Sequence, residues 1–253
     1  MIELSLGMYM LLFFLIFLAG FVDSIAGGGG LISLTSYYAV GLPPIYALGN
    51  NKFSSTFGTL FALGVYRNNH SVNFRVGLFT AVFAFFGSLI GSNLAIRYSD
   101  LYLRYILVFT LPVIAIITLK APKKQKESLL SGAKLYVLCA LLGFFVGMYD
   151  GFFGPGTGLF LTLAFTGIAG FSLLDSCGNT KVVNLSSNIA ALVSFIINGN
   201  IIYKIAVPCL FASILGNICG STTAVKGGGR IVKPMLVVVL ALLFIKLIVD
   251  FIH

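Results

Sequence analysis

Two aspartates, two lysines and two glycine-rich runs hold the residues whose types and spacing could do chemistry. Asp23 ends a long apolar run and precedes Ser24-Ile25-Ala26-Gly27-Gly28-Gly29-Gly30. Asp150 ends another and precedes Gly151-Phe152-Phe153-Gly154-Pro155-Gly156-Thr157-Gly158. A charge at the middle of a membrane helix costs about 2.5–3.5 kcal/mol, so one retained there has a partner or a task. Glycine costs about 1 kcal/mol relative to alanine in a helix, so neither run extends a stable helix. Each run instead leaves backbone N–H groups at the start of the following segment, where the positive end of the helix dipole favours a small oxyanion. Gly28, Gly29 and Gly30 would offer them in the first run, and Gly156, Thr157 and Gly158 in the second. Lys52 and Lys181 stand about eight residues into their helices, on the order of 12 Å at 1.5 Å per residue, too deep to snorkel easily. They require either a salt bridge to Asp23 or Asp150 or an anion that uses their charge. Asn50, Asn51 and Asn179 lie within one turn of these lysines. The alternative is structural, with the aspartates capping short helices and the charges merely locking helices together.

The elements that must position these residues are membrane segments. Only 9% of the residues are charged and 58% are apolar, against roughly 25% charged in soluble domains. Apolar stretches long enough to span a bilayer lie near residues 4–25, 44–66, 73–96, 102–119, 134–152, 173–197, 202–225 and 231–251. Two shorter ones, near 30–41 and 158–169, follow the glycine runs and read as half-helices of broken or re-entrant segments. The first segment is expected to stay in the mature protein, since Glu3 and no Lys or Arg precedes it. Lys120, Lys123, Lys124 and Lys126 mark a linker, dividing the chain into a first membrane repeat (1–119), a Lys-rich cytoplasmic linker (120–133) and a second repeat (134–253).

The halves echo each other. Gly20-Phe21-Val22-Asp23 answers to Gly147-Met148-Tyr149-Asp150 at a spacing of 127, and Gly49-Asn50-Asn51-Lys52 to Gly178-Asn179-Thr180-Lys181 at 129. The 129 spacing then holds for Arg75 and Lys204, Gly87 and Gly216, Gly91 and Gly220, and Arg97 and Lys226. Polar residues and glycines in register over this distance point to duplication. Gly87, Gly91, Gly216 and Gly220 have the small-residue spacing that brings membrane helices close, which accounts for them without a transport role. With an odd number of crossings per half and the linker in the cytoplasm, ten Lys and Arg lie inside against three outside; an even number leaves eight against five. The charge distribution therefore favours an inverted repeat, in an all-α, polytopic integral membrane protein with a glycine-rich broken or re-entrant helix in each half.

Other chemistries lack support. The sixteen Lys and Arg sit mostly singly between apolar stretches, so the formal charge of +9 describes membrane loops and no nucleic-acid surface. Cys139, Cys177, Cys209 and Cys219 have no CxxC spacing and read as packing residues, and with only two histidines no metal site is expected. Neither a dinucleotide fingerprint nor a P-loop is present, so no cofactor is expected. No nucleophile–base pair stands out, and Lys246 and Asp250 have the spacing of a local surface pair.

The run from Gly20 to Leu31, the Asn51-Lys52 pair and the stretch Tyr149-Asp150-Gly151-Phe152-Phe153-Gly154-Pro155 closely resemble the TauE/SafE family of membrane permeases, and within it the YfcA-type branch. The resemblance covers essentially the whole chain; it departs at Leu34-Thr35, where family members often carry proline. It implies a multi-pass transporter of the bacterial plasma (inner) membrane for a small sulfur-containing anion such as sulfite, a sulfonate or sulfoacetate. Under that expectation the lysines, Asn50, Asn51, Asn179 and the glycine-run amides bind the anion. Asp23 and Asp150 couple protons or gate, and the partners are the anion, protons and the lipid bilayer. A transporter of a cation or neutral metabolite, and a membrane-embedded enzyme or assembly factor, are the competing classes.

Overall fold

A computed structural model describes residues 4–97, 132–167 and 169–252, with side chains through residue 242. The expected span at 102–119 and most of the linker at 120–133 lie outside the described residues, and the Lys246–Asp250 pair lies beyond the described side chains. Within them there are nine α-helices and no strand: α1 (Leu6–Ala26), α2 (Gly29–Ala39), α3 (Pro44–Asn68), α4 (Phe74–Arg97), α5 (Ala133–Phe152), α6 (Thr157–Gly167), α7 (Leu173–Ile197), α8 (Tyr203–Gly227) and α9 (Gly229–Ile252). Five of them, α1, α4, α5, α7 and α8, are long and apolar enough to cross a membrane. α3 has the length but carries a polar stretch from Asn50 to Thr56.

Local chemistry sets the boundaries. Ser5 caps α1 by accepting from the Met8 N–H at 3.3 Å, and Ser172 caps α7 by accepting from Asp175 N–H at 3.1 Å. α3 opens on Pro43-Pro44, where a missing N–H costs nothing. α1 ends at Gly27, whose φ of 74° lets its N–H return to the Asp23 carbonyl. α2 runs unbroken through Leu34-Thr35.

The short helices fold back. The place a Cβ on Gly29 would occupy is filled by the Ala19 carbonyl and the Asp23 side chain, and Leu34 and Tyr37 share a core with Leu12 and Ile16. α2 therefore runs back along α1 as a helical hairpin. α6 likewise returns beside α5, with the Phe160 ring 5.9 Å from that of Tyr149. The two hairpin tips meet: Leu159 N–H donates to the Gly27 carbonyl at 3.3 Å, and Gly30 lies against Pro155.

The long helices pair across the chain. Gly87 and Gly91 of α4 lie on the backbone of Phe144 and Met148 in α5, while Gly143, Gly147 and Gly151 of α5 lie on the carbonyls of Thr80, Ala84 and Ser88. Gly216 and Gly220 of α8 meet the carbonyls of Phe17 and Phe21 in α1, and Gly20 meets that of Ser213. Small residues on both sides permit this approach, which rewards packing where lipid offers no hydrophobic drive; the glycine spacing is accounted for by helix packing, as expected. The outer faces are apolar. Met10 and Phe14 of α1, Leu78, Val82 and Phe86 of α4, Val137, Leu141 and Phe145 of α5, and Val207, Phe211 and Leu215 of α8 are all exposed at four-residue spacing. The interior, by contrast, holds Ser, Thr, Asn and Lys side chains. Apolar stripes outside and polar groups inside suit a lipid surround. Cys139, Cys177 and Cys209 are buried packing residues, whereas Cys219 is exposed.

Candidate functional site

Both lysines reach across to the other half of the chain. Lys52 of α3 places Nζ 2.8 Å from Asp150 Oδ2, at the end of α5. Lys181 of α7 places Nζ 2.9 Å from Asp23 Oδ2, near the end of α1. The sequence leaves open which aspartate each lysine takes, and the hairpin geometry decides it. α3 and α7 pass beside the meeting hairpin tips, so each lysine reaches the tip of the opposite half.

The two pairs differ in surroundings. Lys52 also donates to Asn188 Oδ1 at 2.9 Å, and Asp150 Oδ2 accepts from Ser187 Oγ at 2.6 Å. Side-chain exposure is 2% for Lys52 and 6% for Asp150, so this pair is sealed. Lys181 donates to the Asp23 backbone carbonyl at 2.7 Å as well as to its carboxylate. Asp23 Oδ1 accepts the Gly29 N–H at 3.3 Å, so the carboxylate occupies the start of α2. Its side chain is 22% exposed, so this pair is the more open of the two on the aspartate side, while Lys181 is 1% exposed.

The glycine runs serve mainly to let backbones approach. A side chain on Gly28 would strike Val239, and one on Gly158 would strike Gly27. Of the expected amide donors, Gly29 is bonded to Asp23. Thr157 turns both its N–H and its hydroxyl to the Gly154 carbonyl, at 3.2 and 2.7 Å. The asparagines are not all directed at the lysines. Asn50 Nδ2 donates to the Tyr46 carbonyl and Asn179 Nδ2 to that of Asp175, within their own helices. In both, Oδ1 is buried without a partner. Asn51 Oδ1 accepts from Ser33 Oγ at 2.6 Å and ties α2 to α3. Thr162 and Thr180, 3.1 Å apart, tie α6 to α7. Asn184, Ser187 and Asn188 do not stand out in the sequence. The legible signal was their spacing from Lys181 of three, six and seven residues, which places 184 and 188 on the lysine's own face.

A membrane bundle with crossed ion pairs at the tips of two glycine-rich hairpins has close relatives. The model for the family described as sulfite exporter TauE/SafE matches residues 12–247. The chain belongs to the TauE/SafE family. A probable membrane transporter protein of Sinorhizobium sp is 36% identical over 251 residues, covering 99% of this chain and 96% of the relative. One of Haemophilus influenzae is 32% identical over 248 residues, covering 98% and 97%. The probable membrane transporter protein YfcA of Escherichia coli K12 is 35% identical over 241 residues, covering 94% and 89%. No solved structure matches significantly. This TauE/SafE chain is thus a multi-pass membrane protein of a transporter family.

Proposed function

We propose that this TauE/SafE protein is a secondary transporter of a small anion, by class a sulfur-containing oxyanion, working by alternating access between two inverted repeats and moving its cargo chemically unchanged. The observation that carries the reading is the pair of crossed salt bridges, Lys52–Asp150 and Lys181–Asp23, at the junction of the hairpin tips. Corresponding residues exchange partners between halves, as a two-fold relation between repeats would require. The sealed pair and the open pair then correspond to the closed and accessible sides of one state, and exchange roles in the other.

In this mechanism an entering anion competes with the Asp23 carboxylate for Lys181 and for the first turn of α2. Lys181 neutralises the anion while the α2 dipole and the Gly29 N–H favour its charge. The displaced carboxylate moves away and takes up a proton, which couples one proton to one anion. Asp150, Lys52 and the start of α6 repeat the sequence on the opposite side.

Anion uptake into proteoliposomes under a fixed membrane potential tests the reading. Net anion movement is expected, and a current of cation sign would instead assign the aspartates as cation ligands. Lys181→Ala is expected to weaken anion binding at least tenfold, the effect of losing about 1.4 kcal/mol. Asp23→Asn mimics the protonated acid and is expected to abolish the pH dependence of transport while anion binding stays measurable. An Asn variant with an unchanged pH profile would return Asp23 to a purely capping role.

Topology is a separate test. With inverted repeats, the α3–α4 loop is cytoplasmic and the α7–α8 loop external, and both termini are external. In a Cys219→Ser background, Asn198→Cys should react with an impermeant maleimide from outside and Asn69→Cys should be protected. Equal labelling of both loops would refute the inversion.

A further inference from the structure

The two charged pairs are held to different degrees, and the difference lies in side chains that only one half carries. At the second tip Ser187 Oγ donates to Asp150 Oδ2 at 2.6 Å, and Lys52 donates to Asn188 Oδ1 at 2.9 Å. Tyr149 Oη donates to the Pro155 carbonyl at 2.7 Å and pins the turn to α5. That turn closes over the pair, since a Cβ on Gly154 would lie 3.3 Å from Lys52 Nζ and 3.2 Å from Asp150 Oδ1. Ser88 of α4 braces the same point of α7, its Oγ donating to the Ser187 carbonyl at 2.6 Å.

The spacings of 127 and 129 residues set Val22, Gly58 and Thr59 opposite Tyr149, Ser187 and Asn188. Neither Val22 nor Gly58 has a side-chain donor or acceptor. Serine could not stand at position 58 without a shift, because a Cβ there would strike Asn217 and Ser213. Among the described residues Lys181 hydrogen-bonds only to Asp23. The first tip therefore lacks the ties of the second.

We propose that Ser187 and Asn188 are positioning residues that hold the second hairpin closed on Lys52, so that the first hairpin opens first and the two charged pairs act in a fixed order. The proposal rests on the anion-transport reading above and adds a sequence of events to it. The anion meets Lys181 in the resting state, and it meets Lys52 only after the ties at Ser187 and Asn188 break. Opening the second tip strands a lysine, a carboxylate, a hydroxyl and an amide together in buried surroundings, where each lost partner is costly. Opening the first strands fewer groups, and Asp23 keeps the Gly29 N–H. Equivalent halves would populate the two arrangements equally.

A membrane-soluble carbodiimide tests the order, because it adds to protonated carboxyl groups that it can reach. The purified full chain is treated with dicyclohexylcarbodiimide, and adducts at Asp23 and Asp150 are measured by peptide mass spectrometry. Wild-type protein is expected to be modified at Asp23 at least about tenfold more than at Asp150, the factor that one charge-assisted hydrogen bond supplies. Ser187→Ala combined with Asn188→Thr should raise modification of Asp150 by about the same factor and leave that of Asp23 within about twofold. Equal modification of the two acids in the wild type overturns the proposal, and so does a double variant that keeps the wild-type ratio. A variant that gains adducts at both acids alike has merely loosened, which also overturns it. If the variant does not fold, the wild-type ratio decides by itself. Sulfite added before the reagent distinguishes the two readings, since an anion that displaces Asp23 should raise modification there. A wild-type ratio that stands while neither sulfite nor a sulfonate changes Asp23 would refute the anion reading and leave the held second hairpin in place.

Discussion

Lys52→Ala is expected to destabilise the protein by about 3–5 kcal/mol, the cost of leaving one charge of a buried pair without its partner. The Asp150 carboxylate would keep Ser187 but lose the only lysine near it among the described residues. At 6% side-chain exposure, water cannot readily replace that lysine. Thermal melting of the detergent-purified protein checks this. Lys52→Met combined with Asp150→Leu should recover most of the loss, since an apolar pair of similar volume often matches a buried ion pair. Lys181→Ala should melt closer to wild type. There Asp23 keeps the Gly29 N–H and its 22% exposure admits water. The expected signature is a split, with Lys52 weighing on folding and Lys181 on binding. Equal melting of Lys52→Ala and wild type would mean that the sealed pair contributes nothing net.

The second large effect is expected at the hairpin tips. Gly27→Ala faces two costs. The residue sits at φ 74°, where a Cβ costs roughly 1–2 kcal/mol, and that Cβ would overlap the backbone of Gly158 and Leu159. Gly41→Ala separates the two, because Gly41 has φ 83° and open space around it. The Gly41 variant should lose about 1–2 kcal/mol and still transport. The Gly27 variant should lose more and lose transport, because its Cβ forces the tips apart and pulls each aspartate from the lysine of the other half. Matched melting and transport in the two variants would show that the tips tolerate separation.

The charged residues of the candidate site are legible in the sequence because they are expensive where they stand. Asp23, Asp150, Lys52 and Lys181 are conspicuous as charges within apolar runs, and their spacing of 127 or 129 residues made them two sets. The roles of the glycine runs were less legible. A glycine can serve flexibility, an anion cradle or close packing with equal ease, and only its neighbours distinguish these. Gly28 and Gly158 turned out to lie against Val239 and Gly27. The sequence does not single out Asn184, Ser187 and Asn188, because uncharged polar residues are common in long helices, and spacing does not say what lies opposite.

The sequence by itself determined a helical membrane chain with two glycine-broken segments. Apolar run length, the scarcity of charge and helix-breaking glycine are local properties, and a bilayer admits few other structures for such a chain. Only the tertiary structure decided that Lys52 meets Asp150 and Lys181 meets Asp23, and that one pair is sealed while the other is more exposed. Those facts depend on two hairpin tips meeting through contacts such as Leu159 with Gly27, residues more than a hundred positions apart. Local pattern sets where a charge is costly, and long-range packing sets which partner offsets it.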